Sequence, residues 1–149
     1  RERRGLCYAI YSSAWGLKDT GLFAVHAATG AGMVGELINV VSDELDRMAD
    51  AGPKDAEVAR AKAQLKAGLM MSLESSSARA EQMARQMLLH GRVLLTSDIL
   101  AAVDRVTAAE VTNVAQRLRR KDVSVAVVGA GRKSDDLASR AGDRLARVA

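Results

Sequence analysis

The chain has 149 residues, of which 48% are apolar and 3% aromatic, and its formal net charge is +4. This size and apolar fraction allow one globular core, built mainly from aliphatic side chains. The single cysteine excludes an internal disulfide and a cysteine-based zinc site, and no apolar run approaches the roughly 20 residues of a membrane span.

The first predicted elements are two strands. Residues 6–17 alternate aromatic and β-branched residues with small ones, a pattern typical of a strand. The polar stretch "LKDTG" then predicts a turn, and "LFAVHAATG" predicts a second strand of similar length. Together they predict an antiparallel hairpin over residues 6–29.

Helices are predicted from residue 31 to residue 120. Apolar residues recur at helical spacing from Met33, and Gly52 with Pro53 closes this helix, with Pro53 able to open the next one. Helix formers then dominate, and the serines at 75–77 predict a break. "TSDILAAVDRV" predicts a short helix, and Thr107 with Glu110 predicts a capping box at the start of another.

The end of the chain predicts one more strand and one more helix. "VSVAVVG" is a nearly continuous β-branched run and predicts a buried strand over 122–129, followed by a helix over 134–147. This order predicts an α+β fold: a single domain over 1–149 with a mostly antiparallel sheet and helices packed on one face. Three strands leave two open edges, so another segment or a second copy is expected to complete the sheet, and a homodimer is one such arrangement.

Several features suggest chemistry but favour a structural interpretation. "GAGMVG" matches the dinucleotide fingerprint, yet a hairpin precedes it and helices follow, so a glycine-permitted turn is favoured. His26 and His90 lack metal-ligand spacing, and Cys7 is expected to be a buried thiol. The basic stretch "RLRRK" falls at a helix end, where cations are stabilised, and it lacks interleaved aromatics, so no nucleic-acid partner is expected.

The charged opening of the chain contains a candidate site. A tyrosine hydroxyl, such as that of Tyr8, can donate to a carbonyl oxygen that becomes an oxyanion. An arginine, such as Arg1, can anchor a peptide carbonyl or carboxylate. On residues alone, a solvated loop followed by a half-buried strand tyrosine is the alternative interpretation.

A family resemblance favours the site. "RERRGLCYAIYS" resembles the motif Arg-Glu-Lys-Arg-Gly-Leu-x-Tyr in the C-terminal half of the M16 metallopeptidases, with Arg3 in place of the lysine. That family includes pitrilysin, insulin-degrading enzyme and the mitochondrial processing peptidase. Further similar stretches follow in order, and the resemblance favours the bacterial, processing-peptidase-like branch. They are "DTGLFAVHAATG", "AKAQLKAGLMMSLESSSARAEQMARQMLLHGR" and "VTAAEVTNVAQRL".

The resemblance implies a LuxS/MPP-like metallohydrolase half-domain whose first strands lie upstream of Arg1. It implies a zinc metalloendopeptidase in which zinc is bound by an H-x-x-E-H motif of an N-terminal catalytic half or partner subunit, with no metal ligand on this chain. Tyr8 is then the catalytic residue and Arg1 the substrate-binding residue, acting on a peptide or presequence. The isolated chain is expected to be inactive, and its expected location is the bacterial cytoplasm, with no membrane partner.

Two alternatives stay open. The chain could be a non-catalytic scaffold paralogue of the same family, since respiratory-complex core proteins resemble the family and have lost zinc ligands. It could also be a basic nucleic-acid-binding domain, which salt-sensitive DNA binding would reveal.

Overall fold

The computed structural model describes residues 4–119 and 123–146. Contacts between backbone positions divide the chain into two compact units. Of the described residues, unit 1 comprises 4–15, 21–52, 112–119 and 123–146, and unit 2 comprises 16–20 and 53–111. The single domain over 1–149 stays a prediction.

The predicted hairpin is confirmed. Strands β1 (Ala9–Gly16) and β2 (Gly21–Ala28) pair in a two-stranded sheet, and the turn between them is closed by the Leu17 N–H, which donates to the Thr20 carbonyl at 2.8 Å. A 3₁₀ turn at Ala31–Met33 follows β2. The helices of the described residues are α1 (Val34–Asp50), α2 (Asp55–Ser72), α3 (Ser76–His90), α4 (Thr96–Arg105), α5 (Ala108–Arg119) and α6 (Ser134–Ala146). The combination of helices with a two-stranded sheet confirms the predicted α+β class.

In unit 1, helix α1 packs against helix α6. The buried residues of each helix recur at helical spacing and so lie on one face of that helix. The two faces pack against each other although the helices are far apart in sequence. Arg144 of α6 strengthens this pairing by bridging Asp43 at 2.7 Å and Asp46 at 3.3 Å on α1. The buried residues of the two helices are Leu37, Ser42, Ala49, Leu137 and Ala141.

The C-terminal end of α1 is tied to the last turns of α5. The Gln116 amide donates to the Ala49 carbonyl at 3.0 Å, and Arg119 pairs with Asp50 at 2.6 Å. The helix stops because Gly52 adopts φ +69°, a left-handed conformation that glycine accepts without steric cost. The predicted end of this helix at Gly52 is therefore confirmed.

In unit 2, helix α2 packs against helix α4. Lys62 donates to the backbone carbonyl of Asp104 at 2.9 Å, and Lys66 pairs with the Asp104 carboxylate at 2.7 Å. Both ammonium groups thus lie at the C-terminal end of α4, where carbonyl groups lack helical partners and the dipole favours cations.

The helix boundaries in unit 2 largely follow the predicted caps. Helix α2 ends before the serine run, and Ser75 caps α3 by accepting from the Ala78 N–H at 3.3 Å. Gly91 ends α3 at φ +67°. Helix α2 begins at Asp55 rather than at Pro53, because the Glu57 carboxylate accepts from the Lys54 N–H at 2.8 Å and fixes the first turn there.

The predicted capping box at the start of α5 is confirmed. The Glu110 carboxylate accepts from the Thr107 N–H at 2.7 Å, and the Thr107 hydroxyl accepts from the Glu110 N–H at 3.2 Å. The Glu110 carboxylate also accepts from the Thr107 hydroxyl at 2.9 Å. The two hydrogen bonds to the carboxylate, first the one from the Thr107 backbone N–H and then the one from its hydroxyl, lower the pKa of Glu110 from its ordinary value of 4.5.

The predicted strand over 122–129 is wrong for the described residues. Residues 123–128 carry no strand pairing there, and the sheet described consists of β1 and β2. The segment keeps a strand-like alternation, since Val125 and Val127 are partly buried and Val128 is 95% exposed. A strand needs the hydrogen-bonding groups of a neighbouring strand, and no described segment supplies them. The helix predicted over 134–147 is observed as α6.

None of the described helices combines the length and the apolar character that a bilayer crossing requires.

Candidate functional site

Tyr8 lies at the entrance to strand β1. Its N–H donates to the Ala28 carbonyl at 2.8 Å, so its backbone is fixed to the end of β2. Its side chain is 79% exposed. The half-buried tyrosine of the alternative interpretation is therefore not observed, and the phenol group is free of packing that would block a ligand from reaching it.

The residues just before Tyr8 are buried. Leu6 is 4% exposed and Cys7 is 7% exposed, and Cys7 is a free thiol, which confirms its predicted burial. Gly5 turns the backbone into this segment at φ +61°. The exposed Tyr8 ring thus directly follows two buried residues in the chain.

The end of β2 and the glycine-rich turn after it lie beside the segment that carries Tyr8. The Thr29 hydroxyl donates to the Leu6 carbonyl. Gly30 follows, and a Cβ placed on it would lie 3.9 Å from the Tyr8 hydroxyl. Sequence reasoning did not link either residue to Tyr8, because Thr29 reads as the end of a strand and Gly30 as the start of the "GAGMVG" turn.

"GAGMVG" is the strand-to-helix turn that the sequence favours. It runs from Gly30 through the 3₁₀ turn into the start of α1. Helix α2 follows α1 directly, so the strand–helix–strand unit of a dinucleotide site is not formed here.

Arg1 lies outside the described residues, so the structure describes only the tyrosine of the predicted Arg1–Tyr8 pair. The next described arginine is Arg4, which is exposed. In the basic stretch 117–121, Arg117 and Arg119 occupy the last turn of α5, as predicted, while positions 120 and 121 lie outside the described residues.

His26 forms a small cluster on the hairpin. Its ring stacks on Tyr11 with centroids 4.8 Å apart and an interplanar angle of 17°, and its Nε2 lies 3.2 Å from the Ser13 hydroxyl. A serine–histidine pair needs a third group that orients the imidazole before it acts as a nucleophile. The described residues place no carboxylate in hydrogen bond with His26, so the cluster lacks that third group.

The donor set does not fit a zinc ion. Within residues 4–119 and 123–146, no group of three or more His, Cys, Asp or Glu side chains is arranged to hold a metal. His26 and His90 belong to different units, and Cys7 is buried. Structural and catalytic zinc sites need three or four convergent ligands. No chemical step is therefore assigned to a metal on the described part of this chain.

The geometry assigns a hydrogen-bond donor to this site and no nucleophile or metal. The phenol of Tyr8 is exposed, and its backbone is hydrogen-bonded to the end of β2, so its O–H can donate to an oxygen of a bound molecule. It cannot by itself activate a water, which needs a base or a metal.

Comparisons with known proteins match the motif and the fold. A family model described as "Peptidase M16 inactive domain" matches residues 1–65, the range that contains the hairpin and Tyr8. A Streptomyces coelicolor protein named an uncharacterized zinc protease is 34% identical over 98% of this chain and 31% of its own length. A probable mitochondrial-processing peptidase subunit beta from Arabidopsis thaliana is 35% identical over 75% of this chain and 21% of its own length.

The fold match covers almost the whole chain. A chain of the solved complex III2 from Candida albicans superposes with a TM-score of 0.84 at 22% identity, covering 97% of this chain and 34% of that one. The chain spans about a third of the length of the curated relatives it matches. With the motif around Tyr8, the shared fold and relatives that are named zinc proteases, the chain belongs to the M16 peptidase family and corresponds to its C-terminal domain.

Proposed function

We propose that this chain forms the metal-free wall of the substrate cleft of a zinc-dependent endopeptidase, whose zinc ligands lie on a separate N-terminal half or partner subunit. The observation that carries the proposal is the exposed Tyr8 on a packed base, within the motif that resembles the substrate-contacting segment of the family. In this proposal, every zinc ligand lies outside the described part of this chain.

Tyr8 donates a hydrogen bond to the peptide in this proposal. Its phenol O–H meets the oxygen of the scissile carbonyl or of an adjacent backbone carbonyl. A donor that is held in place stabilises the negative charge that develops on that oxygen, and it does so most strongly when the closed cleft excludes water. Tyr8 thereby contributes to catalysis without moving a proton to or from water.

Arg1 fixes the substrate in the same proposal. Its guanidinium presents a planar set of donors that matches a carboxylate or a backbone carbonyl of a peptide. Arg1 precedes Tyr8 by seven positions in the sequence.

The hairpin offers the peptide a backbone partner. A two-stranded sheet has unpaired hydrogen-bonding groups along its outer edges, and an extended peptide can join such an edge as a further strand. Main-chain hydrogen bonds would then hold peptides of varied sequence, which suits an enzyme that cleaves presequences or mixed peptides.

The test supplies a zinc-binding half of the same family in trans and measures cleavage of quenched fluorescent peptides. The pair is expected to cleave, neither part alone is expected to cleave, and a chelator is expected to stop the reaction until zinc is returned. Tyr8→Phe should lower kcat by about 100-fold, as loss of one oxyanion donor does. Tyr11→Phe, the matched change three positions along on the same hairpin, should leave kcat within about twofold, because no oxyanion donor is removed.

Each other result has a clear meaning. Cleavage by the isolated chain would refute the division between two halves. Equal rates for Tyr8→Phe and the wild type would remove the role of Tyr8. A pair that assembles but never cleaves would favour the scaffold paralogue, and salt-sensitive DNA binding would favour the nucleic-acid-binding alternative. The homodimer and the cytoplasmic location stay predictions.

A further inference from the structure

The backbone changes from buried to exposed within one residue at Tyr8. Leu6 and Cys7 are among the most buried side chains of the chain, whereas Tyr8 is largely exposed. An exposed side chain gains no orientation from its own packing. The direction of the Tyr8 ring therefore depends on how firmly residues 6–8 are held.

Two hydrogen bonds hold these residues to the end of β2. The Tyr8 N–H donates to the Ala28 carbonyl at 2.8 Å, and the Thr29 hydroxyl donates to the Leu6 carbonyl. The bonds lie on either side of Cys7 and end on two successive residues, Ala28 at the end of β2 and Thr29 just after it. A single bond would leave the segment free to rotate about it, whereas two bonds in succession also fix its direction.

The Thr29 hydroxyl acts where the strand pairing has stopped. Strand β2 ends at Ala28, so the backbone ladder does not continue to Thr29. The side chain supplies the next link in its place. The following residue is Gly30, and a Cβ placed on it would lie 3.9 Å from the Tyr8 hydroxyl. Ala28 and Thr29 thus hold this segment at the Tyr8 N–H and at the carbonyl two residues before it.

We propose that Thr29 is a positioning residue for Tyr8, and that its hydroxyl, through the Leu6 carbonyl, sets the direction from which the Tyr8 phenol meets the substrate. The inference rests on the proposed function for its catalytic consequence. Loss of about 1 Å of placement in such a group can cost up to about 100-fold in rate, so Thr29→Val is expected to lower kcat by about tenfold. KM should change little, because the interaction of Tyr8 strengthens only in the transition state.

The decisive experiment is a double-mutant cycle in the reconstituted pair. Wild type, Thr29→Val, Tyr8→Phe and the double variant are compared by kcat and KM, with Thr29→Ser as the conservative variant. A residue that acts through Tyr8 loses its effect once the Tyr8 hydroxyl is gone, so the double variant should match Tyr8→Phe within about twofold. Thr29→Ser keeps the hydroxyl and should retain wild-type kcat.

A second readout needs no activity. Hydrogen–deuterium exchange of the chain alone should show faster exchange of the Tyr8 amide in Thr29→Val, by about tenfold, as local opening becomes easier. The Leu17 amide, which closes the turn of the same hairpin, should exchange at its wild-type rate. Thr20→Val makes the same chemical change at that exposed turn and should alter neither the Tyr8 amide nor kcat.

The outcomes separate this inference from the proposed function. If Tyr8→Phe lowers kcat but the effect of Thr29→Val is undiminished in the double variant, the positioning role is overturned and the role of Tyr8 stands. If Tyr8→Phe has no effect, the proposed function fails, while faster exchange of the Tyr8 amide still supports the structural link. Unfolding of Thr29→Val, seen as loss of its thermal transition, would overturn the inference, because the effect would then extend beyond Tyr8.

Discussion

Ser42 is expected to destabilise unit 1, and Ser42→Ala is expected to stabilise it. Ser42 lies on α1 and is 1% exposed, and its hydroxyl oxygen has no hydrogen-bond partner among the described residues. A hydroxyl removed from water without a partner costs about 1–3 kcal/mol. Alanine also has a higher helix propensity than serine, by up to about 0.7 kcal/mol.

The van der Waals contacts of the Ser42 hydroxyl oxygen stabilise the folded state, and Ser42→Ala removes them. Each close pair of heavy atoms contributes about 0.1–0.2 kcal/mol, so the loss of one atom with several neighbours removes about 0.5–1 kcal/mol. The unsatisfied hydroxyl outweighs this loss. The net expectation for Ser42→Ala is a gain of about 1–2 kcal/mol in the free energy of unfolding, which corresponds to a rise in Tm of about 2–4 °C per kcal/mol.

The assay is urea unfolding followed by far-UV circular dichroism and by the fluorescence of Trp15. Trp15 is the only tryptophan and belongs to unit 1, so its signal reports the unit that contains Ser42. Ser139→Ala is the matched control, because Ser139 is exposed on α6 and its replacement changes helix propensity without removing a buried oxygen. A midpoint for Ser42→Ala at or below that of Ser139→Ala would refute the reasoning.

Two further changes test a turn and a cap. Gly52→Ala should destabilise the chain by more than the about 1–2 kcal/mol of a left-handed residue, since the added Cβ would also collide with the Thr112 hydroxyl. Gly91→Ala, at φ +67° with open space around it, should show the backbone cost alone in a thermal melt, so equal losses would contradict the predicted collision. Hydrogen bonds from Thr107 lower the pKa of the Glu110 carboxylate. Its contribution to the free energy of unfolding is therefore complete above its ordinary pKa and is lost as the pH falls through the lowered pKa. Glu110→Gln should therefore flatten the fall in Tm between neutral and acidic pH, and an unchanged slope would contradict the capping-box explanation.

Local patterns predicted most of the elements correctly. The alternation of residues 6–17 predicted a strand, the serines at 75–77 predicted a helix boundary, and Thr107 with Glu110 predicted a cap. The helix boundary and the cap depend on hydrogen bonds between residues three positions apart, and the strand pairs with the segment that follows it across a short turn. Such bonds form wherever the local residue types allow them, so a single sequence carries enough information to place them.

The segment 122–129 shows where local patterns fail. Its β-branched residues favour an extended backbone, and residues 123–128 keep the burial alternation of a strand. Pairing needs a neighbour that is distant in sequence, and the pattern of the segment itself contains no information about that neighbour. The residue types of this segment therefore predicted its extended backbone but could not predict whether it pairs with another strand.

The candidate site divides in the same way. The sequence by itself determined the motif around Tyr8, the family and the lack of a metal-ligand pattern, because these depend on the identity and spacing of nearby residues. Only the tertiary structure decided that Tyr8 is exposed next to the buried Leu6 and Cys7, and that the Thr29 hydroxyl reaches the Leu6 carbonyl. It also decided that the buried Ser42 hydroxyl has no hydrogen-bond partner within the part of the chain that the structure describes. Burial and long-range hydrogen bonds depend on which distant segments meet, and those contacts arise from the packing of the whole unit rather than from any one stretch.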